Sequence, residues 1–323
     1  MATTAPPPLL SRRLIYVLGK GGVGRTTVAA ALGLAASRRG AKTIVVEVSG
    51  RGELAQLFSG SGGGQAGGHD ARGGEVEVRP GLWALQIDTT RALDEYLHEH
   101  LPLRMLADLI GATRLIGYLA AATPGLRELL NAGKIWELAQ PERRIPHASP
   151  YDLVVVDAPA SGHALALLTA PQSFARAAQG GPIARQGKKI DDTLHDAALC
   201  ALIGVARGED AAVSELIGLI ERLRQELGLT PELLVINALV SSPLADHDRV
   251  VLERALASLP DGPRTAVART LSEDSAARHA REQVRRLARE LPASRLVELE
   301  RSDSAEFGLD ALEALAEQLD GAL

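Results

Sequence analysis

The residues with the clearest chemical potential form a glycine-rich stretch near the start of the chain, Gly19-Lys20-Gly21-Gly22-Val23-Gly24-Arg25-Thr26-Thr27. An apolar run precedes this stretch and an alanine- and leucine-rich segment follows it, which predicts a strand, a loop and a helix in that order. Such a loop turns backbone N–H groups and a helix N-terminus toward an anion. The stretch therefore predicts a phosphate-binding site.

The spacing of the loop fits two nucleotide-binding patterns. It matches the P-loop pattern G-x-x-x-x-G-K-[ST], except that Arg25 replaces the lysine. It also contains the dinucleotide fingerprint G-x-G-x-x-G, and Glu47 ends the next apolar run, where a ribose-binding acid would lie. Lys20, Thr26 and Thr27 favour the P-loop. A turn without a ligand is disfavoured, because so many glycines destabilise a chain unless its backbone must approach something closely.

A second constellation favours the P-loop further. Asp157 ends the apolar run from Leu153 to Val156, so it is expected at the carboxyl end of a buried strand. P-loop enzymes keep there the carboxylate that holds Mg²⁺ through water, while Thr26 would supply a hydroxyl. The dinucleotide-binding interpretation assigns no functional residue to this position. If the two residues have no functional role, Asp157 would be an acid in the turn after the strand and His163 would cap the next helix.

Composition narrows the class of protein. The chain has 323 residues, 46% hydrophobic and 3% aromatic, with a net charge of −5, so nucleic acid is not an expected partner. One cysteine, Cys200, allows neither an intramolecular disulfide nor a four-cysteine metal site, and it is expected in the core. We find no signal peptide or long apolar run, and we expect a cytoplasmic protein, peripheral at a membrane only through a partner.

The element pattern predicts a doubly wound, mostly parallel α/β sheet with an inserted helical subdomain. Six short apolar runs read as buried strands, at 14–18, 43–48, 82–87, 153–156, 201–205 and 233–236. We expect a disordered tail at 1–13, one domain at 14–323, a flexible glycine-rich loop at 60–74, and helical subdomain segments at about 91–147 and 171–198. In the second segment, Gly181-Pro182 and Gly187 are expected to interrupt the helix; the C-terminal third should carry charged helices such as 275–291 and 309–319.

These motifs together resemble the arsenical-pump ATPases and the related tail-anchored-protein targeting ATPases, a deviant-Walker branch of the P-loop proteins. The segment from Lys20 to Gly24 is similar to K-G-G-V-G-K-[ST], and Asp157 to Pro171 is similar to the switch II pattern D-x-x-x-[TS]-G-H-x-L-x-x-L followed by proline. Weaker similarities lie at 122–128, at 236–237 and at 209–215, a stretch placed before the next helix.

The resemblance implies ATP and Mg²⁺ as cofactors and a role for each matching residue. Lys20 would reach the phosphates in the opposite subunit of a face-to-face dimer, and Thr26 and Asp157 would hold the metal. Ser161 to His163 would sense the γ-phosphate, and Asn237 would read adenine. The implied catalytic residues are Lys20, Ser49 and Asp157. The implied nucleotide-binding residues are Gly19, Lys20, Gly21, Gly22, Val23, Gly24, Arg25, Thr26, Thr27, Gly162, His163 and Asn237.

The chain departs from the family pattern in three ways, and the first two lower the expected rate of hydrolysis. Arg25 replaces a compact lysine by a larger, forked guanidinium. Aligned on Leu54, Ser49 stands where the family's switch I has its water-positioning acid, and Glu47 and Glu53 are at the wrong offset. The single cysteine excludes a three-thiol arsenite site and the zinc pair that joins some dimers.

Three functions stay open on this evidence. The first is a dimeric, ATP-gated ATPase acting on a protein client, whose apolar surface the helical subdomain would form. The second is a catalytically degenerate subunit that binds nucleotide and pairs with an active paralogue. The third is the motor of an anion transporter at a membrane partner. Homodimer and heterodimer are both compatible with the sequence.

Overall fold

A computed structural model describes residues 7–48, 52–59, 74–89, 91–92, 125–143, 148–178, 180–242, 244–302 and 307–323. The strands are β1 Leu14–Gly19, β2 Thr43–Glu47, β3 Val76–Arg79, β4 Leu82–Gln86, β5 Leu153–Asp157, β6 Cys200–Arg207, β7 Leu233–Leu239 and β8 Arg295–Glu300. The helices are α1 Arg25–Arg38, α2 Glu53–Ser59, α3 Leu126–Leu138, α4 Ser161–Ala177, α5 Gly181–His195, α6 Asp210–Leu227, α7 Asp246–Ala255, α8 Asp261–Glu290 and α9 Leu309–Ala322.

The eight strands form one sheet in the order β3-β4-β2-β5-β1-β6-β7-β8. All neighbouring pairs are parallel except β3 with β4. Strands β1, β2 and β5 are buried along their whole length, because helices cover both faces of the sheet. One core contains α1, α2, α8 and α9, the other contains α3, α4 and α5, and α6 contributes to both. The predicted fold class is confirmed.

Two edge strands, β3 and β8, were not predicted. Burial in β8 alternates along Arg295–Glu300, and three of its six residues are exposed. An edge strand with charged residues on its outer face carries no continuous apolar run, so it lacked the signal that identified the central strands. The C-terminal third therefore contains a strand in addition to the expected charged helices. Helix α8 also begins fourteen residues earlier than predicted, at Asp261 instead of Ser275.

The two glycine positions expected to break the second helical segment do not do so. Gly181 and Pro182 begin α5, where proline is well accommodated because the first helical N–H needs no intrahelical partner. Gly187 lies inside α5 and faces α4: a Cβ there would lie 2.6 Å from the carbonyl oxygen of Pro171. Gly187 thus permits a close helix–helix approach, and the two helices end and begin at Ala177 and Gly181.

Part of the predicted N-terminal tail is packed against the body of the protein. Leu9 is buried, and the Arg12 guanidinium, 1% exposed, lies 2.7 Å from the Glu232 carboxylate. Arg12 also donates to the carbonyl oxygen of Cys200 at 3.1 Å. The prediction of disorder was therefore wrong for residues 7–13. The contacts that order this segment are made with residues far along the chain, so the local sequence does not indicate them. The predicted loop at 60–74 lies outside the described residues except for Gly74.

Cys200 is buried at the start of β6, as predicted, and burial raises the pKa of its thiol to about 12. A thiol of this kind is unreactive at neutral pH. Among the residues that the structure describes, no helix is long and apolar enough to cross a membrane. Most of the first predicted helical segment, 93–124 and 144–147, lies outside the described residues, and α3 is the helix seen within it.

A buried ionic cluster fastens the segment after α3 to the sheet. The Arg143 guanidinium lies 2.5 Å from Glu75 and 3.1 Å from Glu137, and all three side chains are nearly inaccessible to solvent. The Tyr151 hydroxyl donates to Glu75 at 2.7 Å. A buried cation between two carboxylates is satisfied only while all the partners remain, so this cluster fixes where α3 ends against β5.

Candidate functional site

The glycine loop lies at the centre of the sheet's carboxyl edge. It follows β1, whose neighbours are β5 on one side and β6 on the other, with Val17 opposite Asp157 and Gly19 opposite Val205. Because the connections from β1 and β5 run to opposite sides of the sheet, a crevice opens at this edge. Ligands of open α/β sheets bind at such a switch point.

Residue Gly24 sets the shape of the loop. Its φ of +89° is left-handed, and it directly precedes α1. A Cβ at this position would collide with the side-chain amide of Asn237. That amide donates to the carbonyl oxygen of Val23 at 2.9 Å, so the end of β7 braces the loop. The structure thus brings Asn237 to the predicted site, although its predicted contact with adenine stays a prediction.

Thr26 and Asp157 form the polar centre of the site, as the sequence predicts. The Thr26 hydroxyl donates to Asp157 Oδ2 at 2.6 Å. Burial raises the pKa of Asp157 to about 6, and Glu47 and Glu53 add to the rise, while the Thr26 hydrogen bond and Arg25 oppose it. The other oxygen, Oδ1, is buried and has no hydrogen-bond partner among the described residues.

This arrangement fits a divalent cation. Mg²⁺ takes oxygen ligands and keeps several waters, so a hydroxyl beside a carboxylate with an unused oxygen suits it. In the described part of the chain, no three or more His, Cys, Asp or Glu side chains are grouped as a metal site. The protein would therefore supply few ligands, and water and nucleotide oxygens would supply the rest.

Arg25 contacts the backbone of the segment that follows β5. Its Nη1 donates to the carbonyl oxygen of Ala158 at 2.6 Å. Ala158 directly follows Asp157, at the start of the segment that resembles switch II. Arg25 therefore joins the first turn of α1 to that segment, a contact that a lysine with a single nitrogen would make with different geometry.

Lys20 contacts a residue that the sequence analysis did not select. Its ammonium lies 3.4 Å from Glu215 on α6, and these side chains are 38% and 39% exposed. Ser161 also donates to Glu215, at 2.7 Å. Glu215 thereby connects the glycine loop with the first turn of α4. It lies inside α6, which corrects the placement of 209–215 before that helix.

The other predicted sensors are exposed to solvent. Gly162 and His163 both lie in the first turn of α4, and the His163 backbone N–H donates to the carbonyl oxygen of Ala160 at 2.8 Å. They stand at the same sheet edge as the loop, close in sequence to Ser161. Their predicted role toward a γ-phosphate stays a prediction.

The two glutamates near switch I have different roles. Glu47 is buried, and its carboxylate accepts from the N–H of Gly52 at 2.8 Å and of Leu54 at 3.2 Å. Both of its oxygens are thus engaged, which disfavours a ribose-binding role. Glu53 is exposed, and its Oε2 lies 3.5 Å from the Thr26 hydroxyl. Ser49 lies outside the described residues.

A cleft of about 450 Å³ opens beside the loop. It lies between the loop, the end of β7, residues 300–302 at the end of β8, and Phe307 with α9. Its size suits a small organic ligand. The residues that line it include Gly22, Gly24, Thr27, Arg207, Asn237, Glu300, Arg301 and Phe307.

The chain is similar in sequence to one described family and to several ATPases. The sequence model of a family described as anion-transporting ATPase matches residues 12–179. ATPase BagA of Mycobacterium tuberculosis is 32% identical over 236 residues, which are 68% of this chain and 63% of that protein. ATPase GET3C of Arabidopsis thaliana is 30% identical over 51% of this chain and 43% of its own length. The arsenical pump-driving ATPase of Acidiphilium multivorum is 25% identical over 77% and 44%, respectively. The match thus spans less than two thirds of each relative.

Proposed function

The chain belongs to the anion-transporting ATPase family, and on that premise we propose that it binds ATP with Mg²⁺ and hydrolyses it slowly as a dimer. One observation carries the proposal: Thr26 and Asp157 meet at the end of a glycine loop, and a buried carboxylate oxygen there has no partner among the described residues. This is the polar arrangement that a P-loop enzyme needs for a nucleotide-bound cation.

Each residue of the site has a part in the proposal. The backbone from Gly21 to Arg25 cradles the phosphates, and the Thr26 hydroxyl and Asp157 hold the cation. When bound, Mg²⁺ neutralises the charge that develops on the phosphates during transfer. Asn237 keeps the loop in shape through Val23. The cleft beside Thr27 receives the nucleoside.

The proposal also includes a dimeric arrangement and a client protein. Lys20 is over a third exposed at the tip of the loop, so a facing subunit can reach it. In that arrangement Lys20 leaves Glu215 and contacts the phosphates bound by the other subunit. The client is a protein with an apolar segment, received by the helical subdomain, and either a homodimer or a heterodimer satisfies this geometry.

A second candidate is a catalytically degenerate subunit that binds nucleotide and pairs with an active paralogue. The contact of Arg25 with Ala158 favours it, because the guanidinium is then held by the backbone instead of the β- and γ-phosphates. A third candidate, the motor of an anion transporter, is supported by the similarity to the arsenical pump-driving ATPase of Acidiphilium multivorum. One cysteine leaves no three-thiol site for arsenite in this chain.

The first experiment measures ATP affinity by calorimetry with and without Mg²⁺, and phosphate release in the same sample. Binding that Mg²⁺ strengthens, followed by slow turnover, supports the proposed function. Binding without turnover supports the degenerate subunit. No ATP binding refutes both.

A second experiment tests the explanation of slow turnover with Arg25→Lys combined with Ser49→Asp. These changes restore the lysine and the acid of the family pattern. We expect higher Mg²⁺-dependent turnover, since such groups act together on the transition state. An unchanged rate, with the fold and ATP binding intact, would refute the view that these two residues limit hydrolysis.

A further inference from the structure

Glu53 lies at the cation edge of the nucleotide site in a position that its place in the sequence does not suggest. Its Oε2 lies 3.5 Å from the Thr26 hydroxyl oxygen, and Asp157 Oδ2 lies 2.6 Å from the same atom. The hydroxyl therefore stands between two carboxylates. One comes from β5 and the other from the start of α2.

The backbone around Glu53 fixes this position. Glu47, at the end of β2, binds the N–H groups of Gly52 and Leu54, the residues on either side of Glu53. Since Glu47 is buried and both its oxygens are engaged, it anchors the start of α2 and holds Glu53 next to α1. The alignment on Leu54 does not predict that Glu53 lies beside Thr26, because this position depends on the contact of the backbone with Glu47 at the end of β2.

We propose that Glu53 is the second carboxylate of the divalent-cation site, a positioning residue that accepts hydrogen bonds from the cation's waters beside Thr26. The proposal rests on the nucleotide site proposed above and adds a residue that the family motifs do not assign. It leaves the water-positioning place of Ser49 unfilled, so it is compatible with slow hydrolysis.

The donor groups at this place suit a divalent cation, because carboxylate and hydroxyl oxygens are groups that Mg²⁺ binds directly or through water. Thr26 has one hydroxyl proton, and Asp157 accepts it at 2.6 Å, so the contact of that hydroxyl with Glu53 is not a second donated hydrogen bond. The buried Oδ1 of Asp157, unpartnered among the described residues, is a separate observation that fits a cation here.

The test is an Mg²⁺ titration of the protein–ATP complex by calorimetry, on the wild type and on Glu53→Gln. Carboxylates that act through a metal's other ligands commonly change metal affinity by tenfold or more. We expect Glu53→Gln to weaken Mg²⁺ binding about tenfold and to leave ATP affinity without Mg²⁺ unchanged or higher. Glu221→Gln is the matched control: Glu221 is exposed on α6 and its replacement changes the net charge equally. Thermal unfolding confirms that both variants fold.

Equal Mg²⁺ affinity in Glu53→Gln, Glu221→Gln and the wild type would overturn the proposal. If the wild type binds no ATP, the proposed function fails, and Mn²⁺ alone, followed by electron paramagnetic resonance, decides the role of Glu53. Mn²⁺ binding that Glu53→Gln weakens then supports a cation site, and absent or unchanged binding overturns it.

Discussion

Replacing Asp157 by asparagine should stabilise the protein without ligands while removing its response to Mg²⁺. Asp157 is 1% exposed, and its carboxylate lies near Glu47 and Glu53. The nucleotide-free protein therefore holds a buried negative charge, which the Thr26 hydrogen bond and the nearby Arg25 offset only in part. Asparagine has nearly the same shape and can still accept the hydrogen bond from Thr26.

The size of the effect follows from the pKa of Asp157, which burial raises from 3.8 to about 6. Each pKa unit corresponds to about 1.4 kcal/mol, so a rise of about two units makes ionisation cost about 3 kcal/mol at neutral pH. We expect Asp157→Asn to raise the free energy of unfolding by about 2–3 kcal/mol at pH 7.5, since asparagine removes that charge.

The stability difference between the variant and the wild type should depend on pH in a defined direction. A carboxyl whose pKa is higher in the folded protein favours folding most when it is protonated, and this advantage is lost as the pH rises through the folded pKa. The difference between variant and wild type should therefore be near zero below pH 4, grow up to about pH 6, and level off above it. Urea unfolding of both proteins from pH 4 to 8 measures it.

Asp248→Asn is the control, because this carboxylate is exposed on α7 and its replacement should change stability by less than about 0.5 kcal/mol. ATP calorimetry on Asp157→Asn should show no gain in affinity from Mg²⁺. A variant less stable than the wild type at pH 7.5, or a difference that does not vary with pH, would refute the reasoning from burial.

Three other substitutions test separate parts of the structure. Arg143→Met leaves two buried carboxylates without their cation and should lower the free energy of unfolding by about 3–5 kcal/mol in urea; a loss below 1 kcal/mol would contradict the burial of the cluster. Gly24→Ala introduces a Cβ at a left-handed φ and against Asn237, so we expect about 1–3 kcal/mol lower stability and more than tenfold weaker ATP binding by calorimetry. Glu215→Gln releases Lys20 from an exposed ion pair, so stability should change by less than about 1 kcal/mol while ATP affinity rises; weaker ATP binding would count against a phosphate-binding role for Lys20.

Local patterns in the sequence predicted the centre of the fold. Strands such as β1 and β5 are buried on both faces, so each appears as a continuous apolar run. The glycines after β1 and the acid that ends β5 identified the site, because their chemistry depends on position relative to a strand end. The meeting of Thr26 and Asp157 followed, since parallel strands end at the same edge.

Edges and interfaces between distant elements escaped prediction. Strand β8 alternates buried and exposed residues at the edge of the sheet, so its sequence contains no continuous apolar run that would identify it as a strand. Gly187 was taken for a helix break, while its absent side chain is what lets α5 approach α4. The conformation of β8 and the role of Gly187 both depend on the elements that pack against them. The local sequence does not identify those elements.

By itself, the sequence determined the family, the fold class, the glycine loop and the pairing of Thr26 with Asp157, since each depends on residues near in sequence or on strand ends. Tertiary structure alone decided where the long charged side chains go. Arg25 bonds the Ala158 carbonyl, and Glu53 comes to Thr26 because Glu47 anchors the backbone beside it. The partner of a long charged side chain depends on which elements the fold brings within its reach, so the local sequence does not predict it.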